Sequence, residues 1–207
     1  MPAPLRCAAV VLAGGRAARM GGGAKPQLVV GGRSMLAAVL AAVPDAHPRV
    51  VVGPPQPVPG DVVVVREDPP GGGPVPALRA GLDAVDADLV VVLAADLPFL
   101  TTDLVADLVA DLRAHPAADG VLVVDATGRD QYLLGAWRTA ALRRRLAGPA
   151  DAAPAPRSLR AVLDGLQVRR HRPPVPEGRP TPWTDCDSPA DLDRARAAVG
   201  VPPHPTG

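Results

Sequence analysis

A chain of 207 residues is long enough for one domain with a substantial core and short for two, so a single domain over residues 1–200 is expected, with 201–207 as a frayed tail. Twenty-two basic residues against 21 acidic ones leave a net charge of +1, which excludes the basic stripe of a nucleic-acid binder and points to a small partner. Cys7 and Cys186 lie far apart without metal-ligand spacing, which argues against a disulfide framework or zinc site and for a reducing cytoplasm, and the opening apolar run is too short for a signal or a membrane span.

In chain order, the valine-rich runs AAVVLA (8–13), RVVV (49–52), VVVV (62–65), LVVVLA (89–94) and VLVV (121–124) are predicted strands. They are apolar without alternation, the pattern of strands buried on both faces, as in a parallel sheet covered by helices. Between them, SMLAAVLAAV (34–43), PALRAGLDAV (76–85) and TTDLVADLVADLRAH (101–115) are predicted helices. In the third, Leu104, Val105, Leu108, Val109 and Leu112 form an apolar stripe, Asp103, Asp107 and Asp111 a solvated face, and Thr101 or Thr102 can cap the start. Beyond residue 125, YLLGAWR (132–138) reads as a strand, ALRRRLA (141–147) as a helix with Arg143, Arg144 and Arg145 on its wet side, and PADAAPAPRS (149–158) as a connection. Ser188, Pro189 and Asp191 mark the start of a last helix. The predicted fold is α/β, a three-layer αβα arrangement around a mostly parallel, Rossmann-like sheet.

The loop after the first strand, LAGGRAARMGGGAKPQL (12–28), holds the only lysine among the 22 basic residues, Lys25. Asn and Ile are absent and Phe and Tyr occur once each, as if residues encoded by AT-rich codons had been drained away. A lysine retained against that drift implies a position that needs a compact ammonium point charge rather than a planar guanidinium. The loop lacks the dinucleotide G-x-G-x-x-G spacing, and Lys25 sits between Ala24 and Pro26, which excludes a Walker loop. What remains is a strand ending in Leu12, Ala13, Gly14 and Gly15, where main-chain N–H groups can approach an anion, followed by Arg16, Arg19 and Lys25. Three cations around such a loop match a triphosphate.

LAGG-x-x-x-RMGG-x-x-K resembles the opening motif of nucleotidyltransferases with the glycosyltransferase-A-like fold, most of all the molybdenum cofactor guanylyltransferases. Further likenesses span most of the chain. AADLPFL (94–100) follows the strongest predicted strand, at the sheet edge where open α/β folds bind ligands, and the resemblance makes Asp96 a Mg²⁺ ligand. REDPPGGGPVPALRAGL (66–82) is similar to the family's acidic residue and Gly-Pro loop, which assigns Asp68 to the nucleotide and Gly71–Pro74 to the substrate-facing mouth. DCDSPADL (185–192) resembles the closing segment, with Asp185 and Asp187 where these enzymes usually carry asparagine; Asp187 either approaches the metal or caps the last helix. Ala24 stands where aspartate is common, and Gly53 where many members carry an asparagine that contacts the base. GRDQYLLGAWR (128–138) resembles the stretch lining the acceptor side, with Gln131 and Tyr132 replacing more usual residues.

The resemblance implies attack by an acceptor phosphate on the α-phosphorus of GTP, with Lys25, Arg19 and Asp96 catalytic. Leu12, Ala13, Gly14, Gly15, Arg19, Lys25, Asp68 and Asp96 would bind the nucleotide, and Mg²⁺ would sit on Asp96. No Ser/His/Asp arrangement is evident, and His47, His115, His171 and His204 read as surface residues. The expected partners are GTP or another nucleoside triphosphate, a phosphorylated small-molecule acceptor and proteins of the cofactor pathway, with no nucleic acid and no membrane. Three alternatives stay open: a cytidylyltransferase of the same cofactor, a guanylyltransferase of a phospho-acid precursor of a deazaflavin cofactor, and a catalytically silent nucleotide-binding partner.

Overall fold

The computed structural model describes residues 5–14, 19–20, 23–147 and 158–200. Its elements, in chain order, are β1 (Cys7–Leu12), β2 (Arg19–Met20), β3 (Gly23–Ala24), a 3₁₀ turn (Lys25–Gln27), β4 (Val29–Val30), β5 (Arg33–Ser34) and α1 (Met35–Ala41). Then come β6 (Arg49–Val52), β7 (Val62–Val65), α2 (Pro74–Asp83), β8 (Leu89–Ala94), α3 (Thr102–Ala114), β9 (Gly120–Val124) and β10 (Asp130–Arg138). The chain continues through α4 (Thr139–Ala147), α5 (Leu159–Leu163), β11 (Val168–His171) and α6 (Pro189–Gly200). The expected tail 201–207 and most of the 149–158 connection lie outside the described residues.

Seven strands form one sheet in the order β11-β9-β10-β8-β1-β6-β7. Only β10 runs antiparallel to its neighbours, β8 and β9, so the sheet is mostly parallel. The apolar runs have the burial their composition implies except VVVV (62–65), which forms the edge strand β7 and leaves Val63 and Val64 exposed because, among the described residues, no strand or helix covers them there. Ala9 and Val11 of β1 and Val91 and Leu93 of β8 pack with Leu36 and Val39 of α1 and Leu104 and Leu108 of α3 on one face. Ala8, Val10, Val90 and Val92 pack with Leu78 and Leu82 of α2, Leu142 of α4 and Val162 of α5 on the other. Helix, sheet and helix make three αβα layers around a dry centre.

The helix signals are realised atom by atom. Thr101 is the cap of α3, its hydroxyl accepting the Leu104 N–H at 3.3 Å. Ser188 and Asp191 form a reciprocal box at α6, with Ser188 N–H donating to Asp191 Oδ2 at 2.7 Å and Asp191 N–H to Ser188 Oγ at 3.2 Å. The exposed arginines of α4 do more than solvate it. Arg143 donates to the carbonyls of Leu82 and Val85 at 2.9 and 2.7 Å, and Arg145 to that of Val162 at 2.9 Å, so each guanidinium caps the carboxyl end of a neighbouring helix.

The seating of α2 depends on a missing side chain. A Cβ at Gly81 would lie 2.5 Å from Val10 Cγ1 and 2.9 Å from Val52 Cγ2, both on fully buried β-branched residues with no room to retreat. Gly81→Ala should therefore destabilise the protein by about 1–3 kcal/mol through overpacking, outweighing the helix-propensity gain of about 1 kcal/mol. Urea unfolding measures the difference, and a stabilised variant would mean that α2 is free to slide on the sheet.

Candidate functional site

Parallel strands leave their carboxyl ends on one edge, and that edge carries the charged residues. β1 exits through Ala13 and Gly14, β6 through Gly53, β7 through Glu67 and β8 through Ala95 and Asp96. The exits stay bonded to each other, Ala13 N–H to the Val52 carbonyl at 2.8 Å and Gly53 N–H to the Val65 carbonyl at 2.9 Å. A Cβ on Gly53 would meet the Ala13 carbonyl oxygen at 2.9 Å, so the close approach of the β6 and β1 exits requires glycine there. Above them opens a cavity of about 420 Å³ lined by Leu12, Ala13, Gly14, Lys25, Glu67, Asp96 and Asp187, with Gly71–Pro74 and Leu133 at its sides. A larger hollow, about 690 Å³, lies at the opposite end of the strands near Cys7, Val43 and Val105; it is mainly apolar, and its ion pair, Arg6 with Asp86, is exposed. Lys25 and the carboxylates that bind it converge in the smaller one.

Lys25 is held on the 3₁₀ turn, where Pro26 fixes the backbone, and only 4% of the residue is exposed. Its Nζ donates to Asp96 Oδ2 at 2.6 Å and to Asp187 Oδ1 at 2.8 Å. Burial works against the charge, but the hydrogen bonds and negative charges of Asp187 and Asp96 outweigh it and hold Lys25 above its ordinary pKa. Asp185 is displaced upward, first by burial and then by the neighbouring charges of Asp187 and Asp96. Burial also pushes the Cys186 thiol up to about 11, which leaves it an inert apolar anchor beside Val30, Met35 and Leu192.

The two carboxylates that flank the ammonium are hard oxygen donors converging on one cation. That donor set fits Mg²⁺, which takes one or two carboxylates and completes its shell with water and substrate phosphate. No group of three candidate metal-ligating side chains exists among the described residues, and Mg²⁺ does not require one.

The structure therefore brings Lys25, Asp96 and the main chain of Leu12, Ala13 and Gly14 to one cavity. The Arg19 backbone pairs with Ala24 across β2 and β3. Gly15 and Arg16, and the side chain of Arg19, lie outside what is described. Asp187 turns to Lys25, and the cap of the last helix is Ser188. Asp68 is exposed and stands off the cavity wall; the carboxylate that lines it is its neighbour Glu67, which sequence reasoning passed over. One compositional signal was available, since Glu occurs twice in a chain that has 21 acidic residues. None of His47, His115 and His171 lines this cavity, and no helix is long and apolar enough to cross a membrane among the described residues.

Comparison with known proteins gives this geometry a lineage. A molybdenum cofactor guanylyltransferase of Bradyrhizobium sp. (strain ORS 278) is 40% identical over 139 residues, 62% of this chain and 64% of that protein. One from Rhodopseudomonas palustris (strain BisB5) is 40% identical over 62% of this chain and 65% of its own length, so the chain spans less than two thirds of either relative. The molybdenum cofactor guanylyltransferase of Rhodobacter capsulatus is 34% identical over 200 residues, 92% of this chain and 95% of the relative. Solved structures share the fold. Molybdopterin-guanine dinucleotide biosynthesis protein A of Archaeoglobus fulgidus superposes with a TM-score of 0.65 at 18% identity over 91% of this chain and 96% of that one. The 2-C-methyl-D-erythritol 4-phosphate cytidylyltransferase of Thermus thermophilus superposes with a TM-score of 0.68 at 22% identity over 95% of this chain and 100% of that one. The family model described as MobA-like NTP transferase domain matches residues 9–172, from the first strand past the last strand of the sheet, and the chain belongs to that family.

Proposed function

We propose that this chain is a Mg²⁺-dependent nucleotidyltransferase, working as one domain over residues 1–200 in the cytoplasm, that moves GMP from GTP onto the phosphate of molybdopterin cofactor and releases pyrophosphate. The observation that carries this reading is the buried Lys25 ammonium held between Asp96 and Asp187 at the carboxyl end of β8, facing the cavity that the β1 exit floors. The base and the acceptor are taken from the relatives, which are named molybdenum cofactor guanylyltransferases.

In the proposed reaction an oxygen of the acceptor phosphate attacks the α-phosphorus of GTP. The bond to the bridging oxygen breaks and its electron pair leaves with pyrophosphate. A phosphate whose second pKa is about 6 is already largely dianionic at neutral pH, so no general base has to be found among the side chains. Catalysis is then positioning and charge neutralisation. Lys25 donates its ammonium protons to phosphate oxygens, with Arg19 as a second cation. Asp96 and Asp187 are the residues that would hold Mg²⁺, which when bound neutralises charge developing on the phosphates. Leu12, Ala13, Gly14 and Gly15 offer main-chain groups to the nucleotide, and Asp68, exposed next to Glu67 in sequence, would meet its outer part.

The test is to incubate the protein with each of the four triphosphates, Mg²⁺ and molybdopterin cofactor and to identify the product by mass. A GMP adduct and pyrophosphate should form with GTP, and Asp96→Asn should lower the rate by about 100-fold or more in a folded protein. A CMP adduct would transfer the assignment to cytidylyl transfer; no adduct with any triphosphate, alongside GTP binding that Asp96→Asn leaves unchanged, would make the chain a silent partner.

Lys25 and a divalent cation compete for the same two carboxylates, which gives Lys25→Met effects of opposite sign. Guanylyl transfer should fall about 100-fold, while Mn²⁺ added without nucleotide should raise the melting temperature at concentrations about tenfold lower than in the parent. Equal metal sensitivity in the two proteins would place the cation elsewhere.

A further inference from the structure

We infer that Glu67 reads the base, its carboxylate accepting N1–H and the 2-amino group of guanine, an inference that rests on the nucleotidyltransferase reading of the same cavity. Among the described residues the buried polar or charged side chains are Lys25, Glu67 and Thr139, and Glu67 is 6% exposed. Lys25 is satisfied twice over by carboxylates. Glu67 accepts one hydrogen bond, from Gly71 N–H to Oε1 at 2.9 Å, and has no salt-bridge partner among the described residues. A carboxylate has two oxygens and about four acceptor positions; among the described residues only Gly71 N–H fills one of them, and the remainder are open to the cavity rather than closed off, so they stand ready for a donor that arrives there.

The surroundings say what kind of donor. Glu67 stands beside a strip of backbone without side chains: a Cβ on Gly14 would come within 3.9 Å of Glu67 Oε1 and 3.6 Å of Gly53 Cα, so the glycines leave open the space next to the carboxylate. On the other side, Gly71 and Gly73 adopt φ of 79° and 94°, a region that favours glycine, and Gly71 is tied to the carboxylate by its N–H. A triphosphate cannot sit against this anion; it belongs with Lys25 in the same cavity. The part of a nucleotide that can meet Glu67 is neutral and rich in donors.

Guanine is the common base that fits. Its Watson–Crick edge places two donors, N1–H and the 2-amino group, side by side and coplanar, the mirror of a carboxylate. Adenine and cytosine set a ring-nitrogen lone pair beside their amino group, and uracil flanks N3–H with two carbonyls, so each turns an acceptor toward Glu67. A glutamine or asparagine could rotate to suit any of these edges. An ionised glutamate cannot donate, and so it rejects as well as selects.

Calorimetric titration of the whole chain with Mg²⁺ and GTP, ITP, XTP, ATP, CTP or 2′-deoxyGTP tests this. The parent should bind GTP about 10- to 100-fold more tightly than ATP or CTP, the range a bidentate base contact supplies. ITP, which lacks the 2-amino group, should bind about tenfold more weakly than GTP. Glu67→Gln should lose the preference for GTP and bind XTP about tenfold better than the parent does, because the amide can donate to the xanthine 2-carbonyl; a gain cannot come from misfolding, and the ITP comparison needs no variant. If the parent binds GTP and ITP alike, or Glu67→Gln keeps its GTP preference, the assignment of Glu67 is overturned while the enzyme reading stands. Equal weakening of all triphosphates by Glu67→Gln, matched by loss of 2′-deoxyGTP binding in the parent, would assign Glu67 to the ribose and also overturn it. A parent that binds no triphosphate defeats the underlying reading and this inference together.

Discussion

A primary ammonium whose side chain is 5% exposed stays charged only if anions come to it, and here two do. That requirement organises the carboxyl edge of the sheet. Lys25 follows β1, Asp96 follows β8 and Asp187 precedes α6, so contacts at sequence separations of 71 and 162 residues pin three distant stretches to one point. The closing segment is aimed by ordinary packing. Cys186 is fully buried against Val30, Met35 and Leu192, and its neighbours Asp185 and Asp187 are exposed, as expected where side chains alternate along an irregular, extended stretch. A small apolar anchor therefore sets the direction of the carboxylate that meets Lys25. The arrangement is poised, because the ammonium occupies the point on which two hard oxygen donors converge. A phosphate chain entering with its own metal would exchange partners with it rather than create a charge site from nothing.

The cavity has a polarity of its own. A cation with its two carboxylates belongs to the β8 side, a solitary carboxylate to the β7 side, and backbone without side chains lies between them. A nucleoside triphosphate is polarised in the corresponding sense, anionic at one end and rich in donors at the other. Asp96 and Glu67 stand just beyond parallel strands that the ladder holds in register, and Lys25 and Asp187 are brought to Asp96 from the turn after β3 and the segment before α6.

The sequence discloses what burial imposes and hides what depends on remote partners. Strands β1, β6, β8 and β9 are legible because both faces of each are covered, which leaves uninterrupted apolar runs. β11, Val-Arg-Arg-His, is a sheet-edge strand with its two arginines exposed, and its polar letters carry no strand signal. Helix α5 is five residues long and β2 to β5 are two residues each, shorter than any window in which periodicity can be counted. That β10 runs antiparallel is a property of pairing and is not written in its own residues. The same division applies to the site. Lys25 was conspicuous because composition had isolated it. Asp68 was named by motif, whereas Glu67 beside it could be told apart only by knowing which of two adjacent carboxylates the backbone turns inward.

Gly53 shows why that distinction matters. β1 and β6 leave the sheet so close together that a Cβ at position 53 would lie 2.9 Å from the Ala13 carbonyl oxygen and 3.2 Å from the Gly14 amide nitrogen. Those contacts are with backbone that is itself ladder-bonded, Ala13 N–H to the Val52 carbonyl, so it cannot move aside cheaply. In this chain the β6 exit can hold no side chain, and any base-reading group on this wall has to come from the next strand over. β7 is that strand, and its exit, two residues beyond Val65, carries the buried glutamate. The reach of glutamate, one methylene longer than the aspartate used for 19 of the 21 acidic residues, is what lets a side chain from the sheet's outer strand close on the cavity and the Gly71 amide together.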